Sequence, residues 1–152
     1  MNNYRVLNNL GGWLVFLVAF VTYFLTMEPT SSFWDCGEFI AAAFKLQVGH
    51  PPGAPLFLMI GKVFSLFGGD DLSQMGFWIN MVSVVSSALT ITFLFWTITQ
   101  IARKIMTQTS GLNSRSELSN IQNWTALAAA LIGSLAYTWT DTFWFKIGRA
   151  HV

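Results

Sequence analysis

From Leu10 to Met27 the chain carries no charged side chain, and nearly every position is aliphatic, aromatic or small. As a helix, a run of about 18 such residues is just long enough to cross the ~30 Å hydrocarbon core of a bilayer. Two further runs of the same kind follow, from about Phe77 to Ile101 and from about Trp124 to Trp139. Apolar residues make up 53% of the chain and charged residues only 10%, where a soluble domain carries about a quarter charged. The sequence therefore predicts an all-α, polytopic membrane protein with about three transmembrane helices. Its 7 Trp and 14 Phe suit helix ends that lie in the membrane interface.

Arg5 precedes the first run, as it would in a secretory signal peptide. The apolar stretch is longer than an ordinary signal core, and Thr26-Met27-Glu28-Pro29 offers no small-x-small cleavage site, so an uncleaved anchor is expected. The formal net charge of +1 gives no sign of nucleic-acid binding or of acidic partners. Cys36 is the only cysteine and cannot form an internal disulfide, so cysteine usage does not identify a redox compartment.

One apolar segment is too short to span. Leu56 to Phe67 covers about 12 residues, contains Lys62 and ends at Gly68-Gly69, which reads as an interfacial or re-entrant helix. The charges agree. If this segment does not cross, two crossings separate Arg5 from Arg103, Lys104 and Arg115, and the basic residues share the cytoplasmic side. Glu28 to Asp71 then forms one long extracytoplasmic loop that rests on the membrane with its apolar helices.

That loop holds the chemistry. Cys36 to Val48 reads as a helix of mostly good helix formers, with Gly49 as its expected C′ residue and Pro51 stopping any continuation. Phe39, Ala43 and Leu46 share one face, while Glu38 and Lys45 lie on another, which suits a helix lying in the interface. Asp35-x-x-Glu38 has capping-box spacing, with Asp35 as N-cap and Glu38 reaching back from N3. The same spacing also suits a general base held at a helix N-terminus near the bilayer, acting on a hydroxyl. The helix end favours the ionised form, so such a base would rely on placement more than on basicity. Both readings stand, and they are compatible.

His50 alone supplies no metal site, since no second His or Cys lies at ligand spacing. Pro51-Pro52 holds the backbone extended before a helix that begins at Pro55. Gly53 permits a close backbone approach, for instance to a phosphate head group. Lys62 either pairs with such a phosphate or snorkels to the interface. Asn80, Ser83, Ser87, Thr90 and Thr97 recur at helical spacing as a helix-packing seam. Tyr137, Trp139 and Trp144 form an aromatic belt, and Asp141 lies just beyond the third span.

Asp35-Cys36-Gly37-Glu38, an alanine-rich helix, and then Gly49-His50-Pro51-Pro52-Gly53-Ala54-Pro55-Leu56 resembles the N-terminal signature of a family of membrane glycosyltransferases. This is a bacterial family long filed as a domain of unknown function, related to transmembrane-protein-260-type protein O-mannosyltransferases. The resemblance implies a GT-C fold, with residues 1–146 forming the N-terminal part of its transmembrane domain. It implies transfer of mannose or a related hexose from a polyprenyl-phosphate carrier to a protein Ser or Thr hydroxyl. Asp35 would then activate the acceptor with Glu38 beside it, and His50, Pro51, Pro52, Gly53 and Lys62 would shape the donor side. Metal dependence varies across that fold, so a divalent ion stays open and no cofactor is fixed. The implied location is a bacterial inner membrane, with the N-terminus cytoplasmic and the Asp35 loop outside.

Ile147-Gly148-Arg149-Ala150-His151-Val152 matches the translation of a common sequencing adaptor. These residues are expected to be a non-native tail, with the native coding region ending near Lys146, and the chain is expected to be an N-terminal fragment. Two alternatives come from other classes. A transporter or channel fragment would use Asp35 as an ion site, but the three spans contain no ionisable residue. A non-catalytic membrane scaffold would need only a capped and packed loop.

Overall fold

A computed structural model describes residues 2–31, 36–49, 54–69, 71–109, 118–141 and 143. The described residues contain helices and turns and no strand. In chain order the helices are α1 (Asn2–Thr26), α2 (Cys36–Lys45), α3 (Pro55–Ser65), α4 (Met75–Thr109) and α5 (Asn120–Thr138). Short 3₁₀ turns at Leu66–Gly68 and Leu72–Gln74 lie between α3 and α4. The chain divides into two compact units, one formed by residues 1–19 and 88–140 and the other by residues 20–87 and 141–152. The unit boundary thus falls within both α1 and α4.

Two helical stretches, Tyr4–Thr26 and Leu72–Thr109, are long and apolar enough to cross a membrane. Only 22% and 33% of their most apolar windows is buried. A core helix of a soluble protein would be mostly covered, whereas here Leu10, Leu14, Leu17, Leu25 and Phe93 stand exposed. An apolar face of this extent is stable where lipid, rather than water, lies against it. This supports a membrane-associated protein.

The third expected span forms a helix at the expected place but does not join these two. Asn120, Gln122 and Asn123 occupy the first turn of α5, and alanine supplies much of its apolar stretch, so its hydropathy stays lower. Its N-terminus carries a capping box. The Ser119 hydroxyl accepts from the Gln122 N–H at 3.2 Å, and the Gln122 side chain accepts from the Ser119 N–H at 3.0 Å.

In the first unit, Gly11 and Gly12 of α1 receive the rings of Phe95 and Trp96 from α4. A Cβ on Gly11 would stand 2.8 Å from Phe95, and one on Gly12 would run into the Trp96 indole. Two adjacent glycines in a helix cost about 1 kcal/mol each against alanine, which this close packing offsets. The Trp96 indole also donates to the Asn8 carbonyl at 3.3 Å. The buried face of α4 in this unit runs through Ala88, Ile91, Thr92, Phe95 and Thr99. The expected hydroxyl seam is therefore displaced: Thr90 and Thr97 are exposed, and Thr92 and Thr99 are buried. Both buried hydroxyls donate to carbonyls of their own helix, Thr92 to Ala88 at 2.9 Å and Thr99 to Trp96 at 2.8 Å. They fit an apolar seam because their polarity is satisfied locally.

The second unit has its core where α2, α3 and the start of α4 meet. Ala42, Ala43, Leu58 and Ile79 are buried together, with Phe39, Ile40, Phe44 and Phe57 packed around them. Gly61 makes the α2–α3 contact close, since a Cβ there would lie 3.0 Å from that of Ala43. Proline begins α3 as the sequence predicts, and Gly69, at φ +59°, follows the 3₁₀ turn that ends it. Eleven residues of α3 rise only about 16 Å, so this helix cannot cross a bilayer.

Candidate functional site

Helix α2 begins at Cys36 and places Glu38 in its first turn. Its far end differs from the sequence expectation. The helix stops at Lys45, and Leu46, not Gly49, takes the left-handed C′ position at φ +52°. The Gln47 N–H donates to the Ala42 carbonyl at 2.9 Å and the Leu46 N–H to the Ala43 carbonyl at 3.4 Å. These are the two bonds of a Schellman motif. The face shared by Phe39 and Ala43 turns into the protein core rather than toward lipid. Glu38, Lys45 and Leu46 are exposed.

Because α2 ends early, Gln47 and Val48 run back as non-helical chain, and Gly49 arrives beside the start of the helix. A Cβ on Gly49 would lie 3.5 Å from Glu38 Oε1. Glu38 of the acidic half and Gly49, the first residue of the Gly-His-Pro-Pro-Gly half, are therefore neighbours in space. Beside them lies an open cleft of about 380 Å³, bounded by Leu46, Val48, Gly49, Pro55, Leu58 and Met59 among others. Its walls are largely aliphatic, so it suits an apolar ligand portion next to a carboxylate.

Lys62 sits on α3 facing α2. Its ammonium donates to the Phe44 carbonyl at 2.6 Å and lies 4.6 Å from the centre of the Phe44 ring. This gives Lys62 a structural role at the C-terminus of α2 that the sequence reading did not include. Asp35, His50, Pro51, Pro52 and Gly53 lie outside the described residues, as does the Asp35 half of the expected capping box. Among the described residues, no group of three or more His, Cys, Asp or Glu could hold a metal ion.

Asn80 has a role different from the seam assigned to it from sequence. Its side-chain amide donates to the Glu28 carbonyl at 3.0 Å and to the Thr30 carbonyl at 3.1 Å. The Cys36 thiol, 4.0 Å away, points to its oxygen. One α4 residue thus holds the segment that enters α2 and touches the first residue of α2. An Asn within an apolar run needs such partners, which is the signal that could have singled it out.

These features define a membrane-associated chain, helical among the described residues, in which Gly49 lies beside the Glu38 carboxylate of α2. The family described as "Protein O-mannosyl-transferase TMEM260 N-terminal domain" matches residues 35–152. The chain belongs to that family. It is 31% identical over 85 residues to the protein O-mannosyl-transferase tmem260 of Dictyostelium discoideum, a match covering 56% of this chain and 10% of that protein. Over 89 residues it is 30% identical to protein O-mannosyl-transferase TMEM260 of Mus musculus, covering 58% of this chain and 12% of the relative. The chain thus spans only about a tenth of the length of these relatives. No solved structure matches it at a significant level.

Proposed function

We propose that this chain supplies the N-terminal part of the active site of an integral-membrane glycosyltransferase of GT-C type. The protein would move mannose or a related hexose from a polyprenyl-phosphate donor to a Ser or Thr hydroxyl of a protein acceptor. The approach of Gly49 to the Glu38 carboxylate carries this reading, because it joins the two halves of the motif that the family resemblance rests on. Asp35, the residue before α2, would accept the proton of the acceptor hydroxyl, and Glu38 would complete the acidic wall of the site. His50, Pro51, Pro52 and Gly53 would shape the donor-phosphate side, and the apolar cleft beside Gly49 would take part of the lipid carrier. A donor anchored by a hydrocarbon chain requires a site at the membrane surface, and α3, too short to cross, would lie there. α5 would add a third, less apolar span, and an inner bacterial membrane would hold the protein with Arg5 inside.

The test is transfer of mannose from a polyprenyl-phosphate donor to a Ser/Thr peptide by the whole protein containing this region. Asp35→Asn should abolish transfer while leaving helix content unchanged. Wild-type transfer by that variant would remove Asp35 from the mechanism.

A further inference from the structure

A polar cleft of about 370 Å³ opens in the first unit, between the start of α1 and the second half of α4. Tyr4, Arg5, Asn8 and Asn9 line it from α1, and Gln100 and Arg103 from α4. Arg5, Asn8 and Asn9 fall at i, i+3 and i+4, so one face of α1 presents all of them. The Arg103 guanidinium stacks on the Tyr4 ring, 3.9 Å from its centre. Stacking fixes the plane of the guanidinium and leaves its N–H edge to be used by a partner lying in that plane.

Two buried polar atoms here have no hydrogen-bond partner among the described residues: Nε of Arg103 and Oδ1 of Asn8. A buried donor left unmade is costly, and most such groups in native proteins have a partner. No Asp or Glu occurs anywhere in α1, α4 or α5. Two arginines therefore line one cleft with no carboxylate from those helices to balance them. Glu117 lies outside the described residues; among the described residues, the group left to be supplied is an anion whose oxygens can take an Nε–H and an Nη–H together, the geometry in which arginine binds phosphate.

The surroundings say which phosphate. Val6 and Leu10 on α1 and Ile101 and Ile105 on α4, within two residues in sequence of those that line the cleft, are each more than half exposed. Arg5 stands about 30 Å of helix rise from Thr26, close to the thickness of a hydrocarbon core. The cleft is thus at head-group level, flanked by aliphatic surface, and fits a molecule with a phosphate at one end and hydrocarbon at the other. We propose that this cleft binds the phosphate of an anionic phospholipid headgroup. Basic clefts between membrane helices take such headgroups elsewhere. A glycerol hydroxyl of the headgroup would donate to Asn8 Oδ1. The site depends on α1 and α4 lying in a membrane and not on sugar transfer, so failure of the transferase reading leaves it standing.

The test is native mass spectrometry of the full chain in mild detergent, offered phosphatidylglycerol or phosphatidylcholine with the same acyl chains. Phosphatidylglycerol should be retained at least about tenfold better. Arg103→Gln and, separately, Arg5→Gln should each lower its retention roughly tenfold. Lys104→Gln, which removes the same charge from an adjacent exposed position, should change it less than about twofold. Arg5 is exposed, so Arg5→Gln tests the site even if Arg103→Gln fails to fold. Equal retention of the two lipids would overturn the proposal, and so would equal losses in Lys104→Gln and Arg103→Gln. Glycerol phosphate at millimolar concentration should leave the bound lipid in place. Displacement would overturn the lipid as ligand and assign the cleft to a soluble phosphate.

Discussion

Leu46 is the described non-glycine residue with positive φ, at +52°, and substituting it tests whether α2 ends as described. A left-handed conformation costs an L-residue about 1–2 kcal/mol, because its Cβ crowds the following carbonyl. Glycine removes that cost but raises the entropy of the unfolded chain, which returns about 0.4–1 kcal/mol. Comparing Leu46→Gly with wild type mixes in the lost side chain, which is 58% exposed yet lines the apolar cleft. The clean comparison is Leu46→Gly against Leu46→Ala, since both lose the side chain and only alanine keeps the strain. Leu46→Gly should be the more stable of the two by about 0.5–1 kcal/mol. Equilibrium unfolding in mixed micelles with increasing denaturing detergent would measure the difference. At a position with ordinary helical φ the order reverses, because glycine costs about 1 kcal/mol against alanine there. An alanine variant as stable as the glycine variant, or more so, would mean that α2 runs on toward Gly49. The proximity of Gly49 to Glu38 would fall with it.

Asn80→Ala removes both amide donors from the Glu28 and Thr30 carbonyls and should cost about 1–3 kcal/mol in the same unfolding assay, with faster amide exchange at the start of α2. Lys62→Met should destabilise the second unit, and Lys62→Gln, which can still donate to the Phe44 carbonyl, should recover most of the loss. If Lys62 instead pairs with a donor phosphate, Lys62→Gln in the whole protein will raise KM for the lipid-linked sugar without any change in stability. The Asp71 carboxyl is held below the ordinary carboxylate range by the Ser73 hydroxyl, then by the Ser73 N–H and the Gln74 amide. A lowered folded value means that its contribution is present above the unfolded pKa and lost as pH falls through the folded one. The protection of the Ser73 amide, its exchange rate relative to the intrinsic rate at each pH, should therefore fall on acidification below the ordinary carboxylate range, and Asp71→Asn should abolish that change.

The positions of the helices could be read from the sequence because composition and proline placement act locally. The uncharged run from Leu10 and the Pro55 start of α3 follow from bilayer thickness and a fixed φ. What escaped depends on contacts between elements. The seam of α4 could not be read from its hydroxyls, because a Ser or Thr can bond its own helix and face either way; the rings meeting Gly11 and Gly12 decided the face instead. Gly49 was the obvious C′ candidate, since glycine costs nothing at positive φ. The packing of Ala42 and Ala43 against Leu58 and Ile79 sets the end of α2 earlier, and a leucine bears the strain. The Ser119–Gln122 capping box, by contrast, is legible in the sequence as Ser-x-x-Gln directly before the α5 run.

The end of α2 also accounts for how Glu38 and Gly49 come together. A helix leaves its last four carbonyls without intrahelical partners, here those of Ala42, Ala43, Phe44 and Lys45. Gln47 and Leu46 donate to the first two, and Lys62 of α3 donates to the third. The same contacts therefore terminate the helix and dock it on α3, the helix that begins two residues after the Gly-His-Pro-Pro-Gly segment. The separation of Glu38 and Gly49 is then set by the helical residues from Glu38 to Lys45 and a three-residue return, with Lys62 and the Gly61–Ala43 contact holding the return in place. Lengthening or shortening α2 by one residue would rotate Glu38 about 100° around the helix axis relative to Gly49. Either half of the motif can occur by chance as a cap or a turn. The spacing of Glu38 and Gly49 has a physical cause, because a helix of this length, closed in this way, brings the carboxylate and Gly49 to the same place.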